Sequence, residues 1–164
     1  MKRSTLFAAL LITGTVSAGA EAVIWPWKDK TPPDPALTTL TSVESVTVAV
    51  NKTNPPTVSI TVHATAPTPN FTELQLSPRI GDPKDQIFSF DAKGRPPQDM
   101  TIQVLSPVEI AVEYTDAPME SLGIIEVYGL DNCKAFSVKE NKEVECTAKS
   151  LPTMEPTGTA ESLQ

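Results

Sequence analysis

The sequence predicts an all-β fold, a single two-sheet sandwich, on three observations. Valine, isoleucine and threonine recur in runs that alternate apolar with polar side chains, the period of a half-buried strand. Sixteen prolines against seven glycines cut these runs short and interrupt any long helical pattern. The two cysteines, Cys133 and Cys146, stand almost symmetrically about the polar turn Lys139-Glu140-Asn141-Lys142, so that facing strands bring them within bonding reach.

The chain opens with Lys2 and Arg3, an apolar run from Leu6 to Ile12 and a small-residue end at Ala18-Gly19-Ala20, the pattern of a secretory signal peptide over residues 1–20. That run is shorter than a bilayer-crossing helix requires and no later one is long enough, so no membrane span is expected. The 164 residues less this leader leave 144, enough for one core. Lys2 and Arg3 leave with it, so the formal charge moves from −7 to −9, which disfavours nucleic acid or an acidic membrane as partner. The expected location is exported, periplasmic or extracellular. In an oxidising compartment Cys133 and Cys146 are expected to close; no C-x-x-C spacing or adjacent histidine marks either as reactive.

Residues 21–36 carry Trp25-Pro26-Trp27 and then Pro32, Pro33 and Pro35, and read as an extended, Pro-rich N-terminal arm. The sandwich is expected over residues 37–150. Val46, Val48 and Val50 share one face of a first strand, and Val58, Ile60, Val62 and Ala64 one face of a second, joined through Asn51-Lys52-Thr53-Asn54-Pro55-Pro56. Pro67 and Pro69 end the second; a third begins at Phe71 with Leu74 and Leu76 aligned. After the turn Gly81-Asp82-Pro83 a fourth sets Phe88 and Phe90 together and stops at Lys93-Gly94-Arg95-Pro96-Pro97. A fifth is expected over 101–104, and a sixth alternates Val108, Ile110, Val112 and Tyr114, with Ser106-Pro107 between them as a bulge or a sheet-switching bend. Ile124-Ile125-Glu126-Val127-Tyr128 is the seventh, and a Cys-tied hairpin over 133–138 and 143–148 completes the set. Residues 151–164, rich in Pro, Thr, Glu and Ser without periodicity, are expected to be a disordered tail. About 7–9 antiparallel strands at this spacing give an immunoglobulin-like sandwich with one hairpin disulfide; the architecture alone earns the label, because the cysteine spacing is short and both tryptophans lie outside the strands.

The catalytic inventory is thin. His63 is the one histidine and falls on the polar side of its strand; no nucleophile elbow, zinc-binding helix motif or phosphate-cradling loop occurs. Asp82, Asp85 and Asp91 share a segment but match no calcium loop, and read as turn residues; Glu113, Asp116 and Glu120 read as a solvated rim. Met100, Met119 and Met154 are too dispersed to join His63 in a copper site, so Met100 and Met119 are expected as core or edge fillers. No cofactor is expected. Trp25 and Trp27 are the candidate partner contacts, two indoles that Pro26 is expected to hold in an extended conformation; the other reading docks them on the edge of the chain's own domain to close the core.

The segment Pro83-Lys84-Asp85-Gln86-Ile87-Phe88-Ser89-Phe90-Asp91-Ala92, with Pro96-Pro97, Gln103-Val104, Ser106-Pro107 and Ile125-Glu126-Val127-Tyr128, loosely resembles small exported bacterial β-sandwich proteins of no assigned function. The resemblance covers about half of the mature chain and brings no catalytic residue with it. Asn54-Pro55-Pro56-Thr57 resembles the Asn-Pro loop of chagasin-type cysteine-protease inhibitors, whose glycine-rich second loop is absent here. The function expected is an exported, non-catalytic binding module for a protein or cell-envelope component, acting through Pro-rich loops and strand edges. Two alternatives stand beside it: an inhibitor of a secreted hydrolase, a protease or lysozyme, wedging in residues 51–56 or 67–71, and a carboxylate-based hydrolase.

Overall fold

The computed structural model describes residues 22–29, 32, 34–79 and 85–147. The leader expected at 1–20, the tail expected at 151–164 and the turn Gly81-Asp82-Pro83 lie outside them. In order, the elements are β1 (Val23–Ile24), α1 (Pro26–Asp29), β2 (Thr38–Thr39), β3 (Ser42–Asn51), β4 (Thr57–Ala66), β5 (Thr72–Pro78), β6 (Ile87–Arg95), β7 (Ser106–Thr115), β8 (Ile124–Tyr128), β9 (Cys133–Ser137) and β10 (Lys142–Val144). They form a two-sheet sandwich. One sheet runs β1-β7-β4-β3; the other runs β10-β9-β8-β6, with β6 also pairing β2 near its end and β5 along its edge.

The alternation read from the sequence sets the core. In β4, Val58, Ile60, Val62 and Ala64 all point between the sheets and are fully buried, and Phe88, Phe90 and Ala92 of β6 meet them from the other layer with Ile125 and Val127 of β8. In β3 the register slips between Val43 and Ser45, so that Val43 and Val46, three positions apart, both face inward. Gly129, after β8, passes close to β3: a Cβ there would lie 2.9 Å from the Ser42 Cα, a contact only glycine avoids.

Several expectations are corrected. Ten strands form where about seven to nine were expected, the additions being the two-residue β1 and β2, and the second arm of the Cys-tied hairpin, expected at 143–148, is the three-residue β10. Pairing is not antiparallel throughout: β1 runs parallel to β7 and β6 parallel to β8. The second parallel pair follows from the route of the chain, which leaves β6, crosses to the other sheet as β7 and returns as β8. Ser106-Pro107 is neither bulge nor bend but the start of β7, with Pro107 opposite Thr65. The strand expected at 101–104 does not form. Its alternation is genuine, but β6, the strand it follows, already has β5 on one edge and β8 with β2 on the other and offers it no place.

The N-terminal arm departs furthest from expectation. It is not a separate extended lead-in: Pro26 opens the four-residue α1, where its missing N–H and fixed φ are harmless, and Trp25 enters the core at 2 % exposure. The indole meets Phe88 at 5.2 Å, Tyr114 at 5.3 Å and Phe90 at 5.9 Å, each edge to face, and Trp27 at 5.5 Å. Phe88 and Phe90 belong to one sheet and Tyr114 to the other, so Trp25 joins the layers. Trp27 packs on Phe88 and Phe90 from a half-buried position. Trp25 and α1 therefore pack with the sandwich instead of standing apart from it.

Replacing Trp25 by alanine is expected to lower the unfolding free energy by about 4 kcal/mol, well beyond the same change at Trp27, since a fully buried indole leaves a cavity that rigid strands cannot close. Urea unfolding of the two variants checks this; a Trp25→Ala loss no larger than that of Trp27→Ala contradicts the bridging role.

Candidate functional site

A polar site lies on the outer face of the second sheet. Register sets Ser89, Glu126 and Ala135 in one row across β6, β8 and β9, and Asp91, Tyr128 and Cys133 in the next. Period two turns these side chains away from the core, yet Glu126 is only 2 % exposed. The cover comes from residues 145–147, which follow β10. Cys146 is bonded to Cys133 as expected, with Cα atoms 6.3 Å apart and a sequence separation of 13. Next to it, Thr147 donates both its backbone N–H (2.7 Å) and its hydroxyl (2.5 Å) to Glu126 Oε1. Ser89 Oγ (3.1 Å) and the Tyr128 hydroxyl (2.9 Å) donate to Oε2.

The electrostatics follow from these contacts. Burial pushes the Glu126 carboxyl upward, but the donors from Thr147, Tyr128 and Ser89 outweigh it and hold the group below the usual carboxylate range. Its neighbour Asp91 goes the other way: burial raises it, against the opposing pull of Arg79 and Lys93. Arg79 lies 4.0 Å over the Tyr128 ring with its Nε 3.2 Å from Asp91 Oδ1. Burial first, then the hydrogen bond and charge of Glu126, push the Tyr128 phenol up to about 12. Chemically, Glu126 is an ionised acceptor with both oxygens engaged. It anchors the segment that Cys146 also ties, and in this arrangement neither of its oxygens is open to a substrate.

The other residues singled out from the sequence are scattered. Trp25 is in the core and has no surface to offer a partner, which corrects its reading as a contact residue; Trp27 is half-buried beside it. His63 on β4 faces Glu109 on β7, with Nδ1 3.6 Å from Oε2, an exposed cross-strand pair. Asp85 takes a left-handed turn conformation (φ 54°), as does the following Gln86, whose carbonyl accepts from the N–H groups of Gly123 and Ile124; Asp91 stands apart against Arg79, and Asp82 lies outside the described residues. Asp116 reaches Lys28 at 3.4 Å rather than gathering with Glu113 and Glu120. Met119 packs against the core, but Met100 is fully exposed, which corrects its assignment as filler; Met154 lies outside the described residues. Among the described residues no group of three His, Cys, Asp or Glu side chains could hold a metal ion, and no helix is long and apolar enough to cross a membrane.

Two features were not legible from residue spacing. Glu126 was visible only as an acid inside the apolar run Ile-Ile-Glu-Val-Tyr, and nothing in the sequence says that Thr147 returns to it. The second is an apolar pole: Met100, Ile102, Val104 and Leu105 on the loop before β7, together with Leu130 after β8, account for five of the seven large apolar side chains exposed among the described residues. Comparison with protein-family models, with curated proteins and with solved structures finds no match to the chain.

Two outcomes are expected of this site. A depressed carboxyl contributes stability that is present above the unfolded value, near pH 4.3, and is lost as pH falls through the folded value. Wild-type stability should therefore fall below about pH 4 and that of Glu126→Gln should fall less steeply there, while Asp91→Asn, which removes a raised carboxyl of opposite sign, should steepen the loss. Thermal unfolding across pH 2.5–6 (roughly the titration range of carboxyls) reads both slopes. Replacing Cys133 and Cys146 by serine together should lower stability by about 3 kcal/mol and abolish the exchange protection of the Thr147 amide; an amide still protected would mean that Glu126 holds the segment unaided.

Proposed function

We propose that the chain is an exported, non-catalytic binding module that holds a protein or cell-envelope component at its apolar pole. The observation that carries this reading is the segment 100–105. Met100 is fully exposed and Ile102 is 72 % exposed, Val104 and Leu105 of the same loop are exposed too, and so is Leu130, which shares a groove with Met100. Exposed apolar side chains concentrated in one loop mark a surface that a partner can cover. A groove of about 640 Å³ runs alongside, lined by Pro67, Phe71, Pro96, Pro97, Met100 and Leu130. Its prolines stiffen the loops, so less conformational freedom is lost when a partner docks.

Export is supported by the leader-like N-terminus, the acidic charge and the Cys133–Cys146 disulfide. A non-catalytic role is supported by the state of the best-formed polar site, where Glu126 is saturated by four donors and covered by Thr147.

Ile102→Asp combined with Leu105→Asp tests the reading. Both side chains are exposed and outside any strand, so stability should change by less than about 0.5 kcal/mol. Immobilised wild type is expected to retain a component of the envelope fraction that the double variant, with an unchanged melting curve, releases. Equal capture by both, or capture by neither, overturns the proposal.

A further inference from the structure

The two open sides of the sandwich are finished differently. On the β3 side the start of the strand edge is capped by side chains: the Val43 N–H donates to Asn132 Oδ1 (2.7 Å), Asn132 Nδ2 donates to the Val43 carbonyl (2.8 Å), and the Val46 N–H donates to Glu143 Oε1 (3.1 Å). On the β7 side, β1 pairs only with Tyr114 and Thr115. The Trp25 N–H donates to the Thr115 carbonyl at 3.0 Å, so the odd-numbered residues of β7 turn their main-chain groups to this side and the even-numbered ones to β4. Glu109 and Ala111 thus present N–H and C=O groups that pair with no strand among the described residues. Pro107 has the same parity, and its missing N–H removes nothing from the β4 ladder.

Beside this edge lies a groove of about 480 Å³ between β7 and β5, with Ile110 and Val112 on one wall, Leu74 and Leu76 on the other, and Val23 and Ile24, each about half exposed, at its mouth. The charge around it is acidic. Glu109 and Glu113 project from β7 on the outer face, and Asp34, which lines the groove, is paired with Arg95. Glu113 has no cationic partner among the described residues, and Glu109 has only His63.

We propose that this edge accepts an extended segment of a partner protein as an added strand, one that alternates apolar with basic residues. Its main chain pairs with Glu109 and Ala111; its apolar side chains enter the groove beside Ile110 and Val112, and the lysines or arginines between them face Glu109 and Glu113. Main-chain pairing is blind to sequence, so the alternation supplies the specificity. The same two carboxylates disfavour a second copy, which would set its own Glu109 and Glu113 in the same row. This surface is distinct from the apolar pole, so the two proposals fail separately.

The test uses a seven-residue peptide alternating lysine and valine, capped at both ends and titrated into isotope-labelled protein. Shifts are expected at the Glu109, Ala111 and Glu113 amides and at the Ile110, Val112 and Leu76 methyls. Binding should weaken at least tenfold with Ala111→Pro, which deletes one edge donor and leaves the β4 ladder intact, and with Glu109→Lys combined with Glu113→Lys. A peptide alternating glutamate and valine should not bind. Should Ala111→Pro fail to fold, N-methylation of the lysine–valine peptide removes the same hydrogen bonds from the other side at unchanged charge. Binding that survives N-methylation, shifts confined to other surfaces, absence of binding, or self-association of the protein in its place each overturn the proposal.

Discussion

Two sheets packed face to face stand about 10 Å apart, and the side chains between them must fill that space. Here the inward positions of β3 and β4 are valine, isoleucine and alanine, too short to reach across alone. Trp25 resolves the difficulty. The sheets contribute Phe88 and Phe90 from one layer and Tyr114 from the other, and the indole enters among them edge to face. The rest of the arm is set by that insertion. β1 lies parallel to β7 with Val23 opposite Tyr114 and Ile24 opposite Thr115, which delivers Trp25 just beyond them with its ring on Tyr114, and α1 turns the chain away once the ring is seated. The indole N–H has no acceptor among the described residues, a deficit of the order of 1–3 kcal/mol that the filled space must exceed.

The C-terminal side of the described chain is held by another kind of contact. β10 has three residues, too few for its ladder to fix the residues after it. Residues 145–147 are secured instead by Cys146 and by Glu126, whose carboxylate is kept ionised in a nearly dry position because four donors converge on it. A buried charge with donors on both oxygens defines one geometry and no other, since any shift of Thr147 leaves the carboxylate underpaired. Arg79 extends the arrangement by covering the Tyr128 ring and pairing with Asp91, so one cluster spans β6, β8, β9 and the covering segment.

How much of this was legible depended on whether a residue's surroundings were local. The inward face of β4, the shared face of Phe88 and Phe90 and the Cys133–Cys146 bridge were legible, because a period of two and a short cysteine spacing are properties of neighbouring residues. Residues 101–104 carry the same alternation and form no strand, because alternation does not name a partner, and the strand they follow, β6, has both edges taken. Pairing direction, the burial of Trp25 and the return of Thr147 to Glu126 depend on which distant segments meet. The spacing of Trp25-Pro26-Trp27 contains nothing about Tyr114, and the run around Glu126 contains nothing about Thr147.

The open β7 edge and the chain's acidity belong to one physical problem. A sandwich whose β3 edge is capped at Val43 and Val46 by Asn132 and Glu143, and which is entered on the other side by the N-terminal arm, keeps a β7 edge whose main-chain groups β1 does not reach. Such an edge beside an apolar groove invites pairing with any extended chain, its own copies included. Placing Glu109 and Glu113 on that strand leaves the inward pattern of Ile110 and Val112 undisturbed, because the acids occupy the outward parity. The acids change only the electrostatic row an incoming strand must face. Like copies are repelled there, neutral strands gain nothing from it, and a strand with cations at alternate positions finds complementary charge, so the device that keeps the protein apart from itself also selects what it admits.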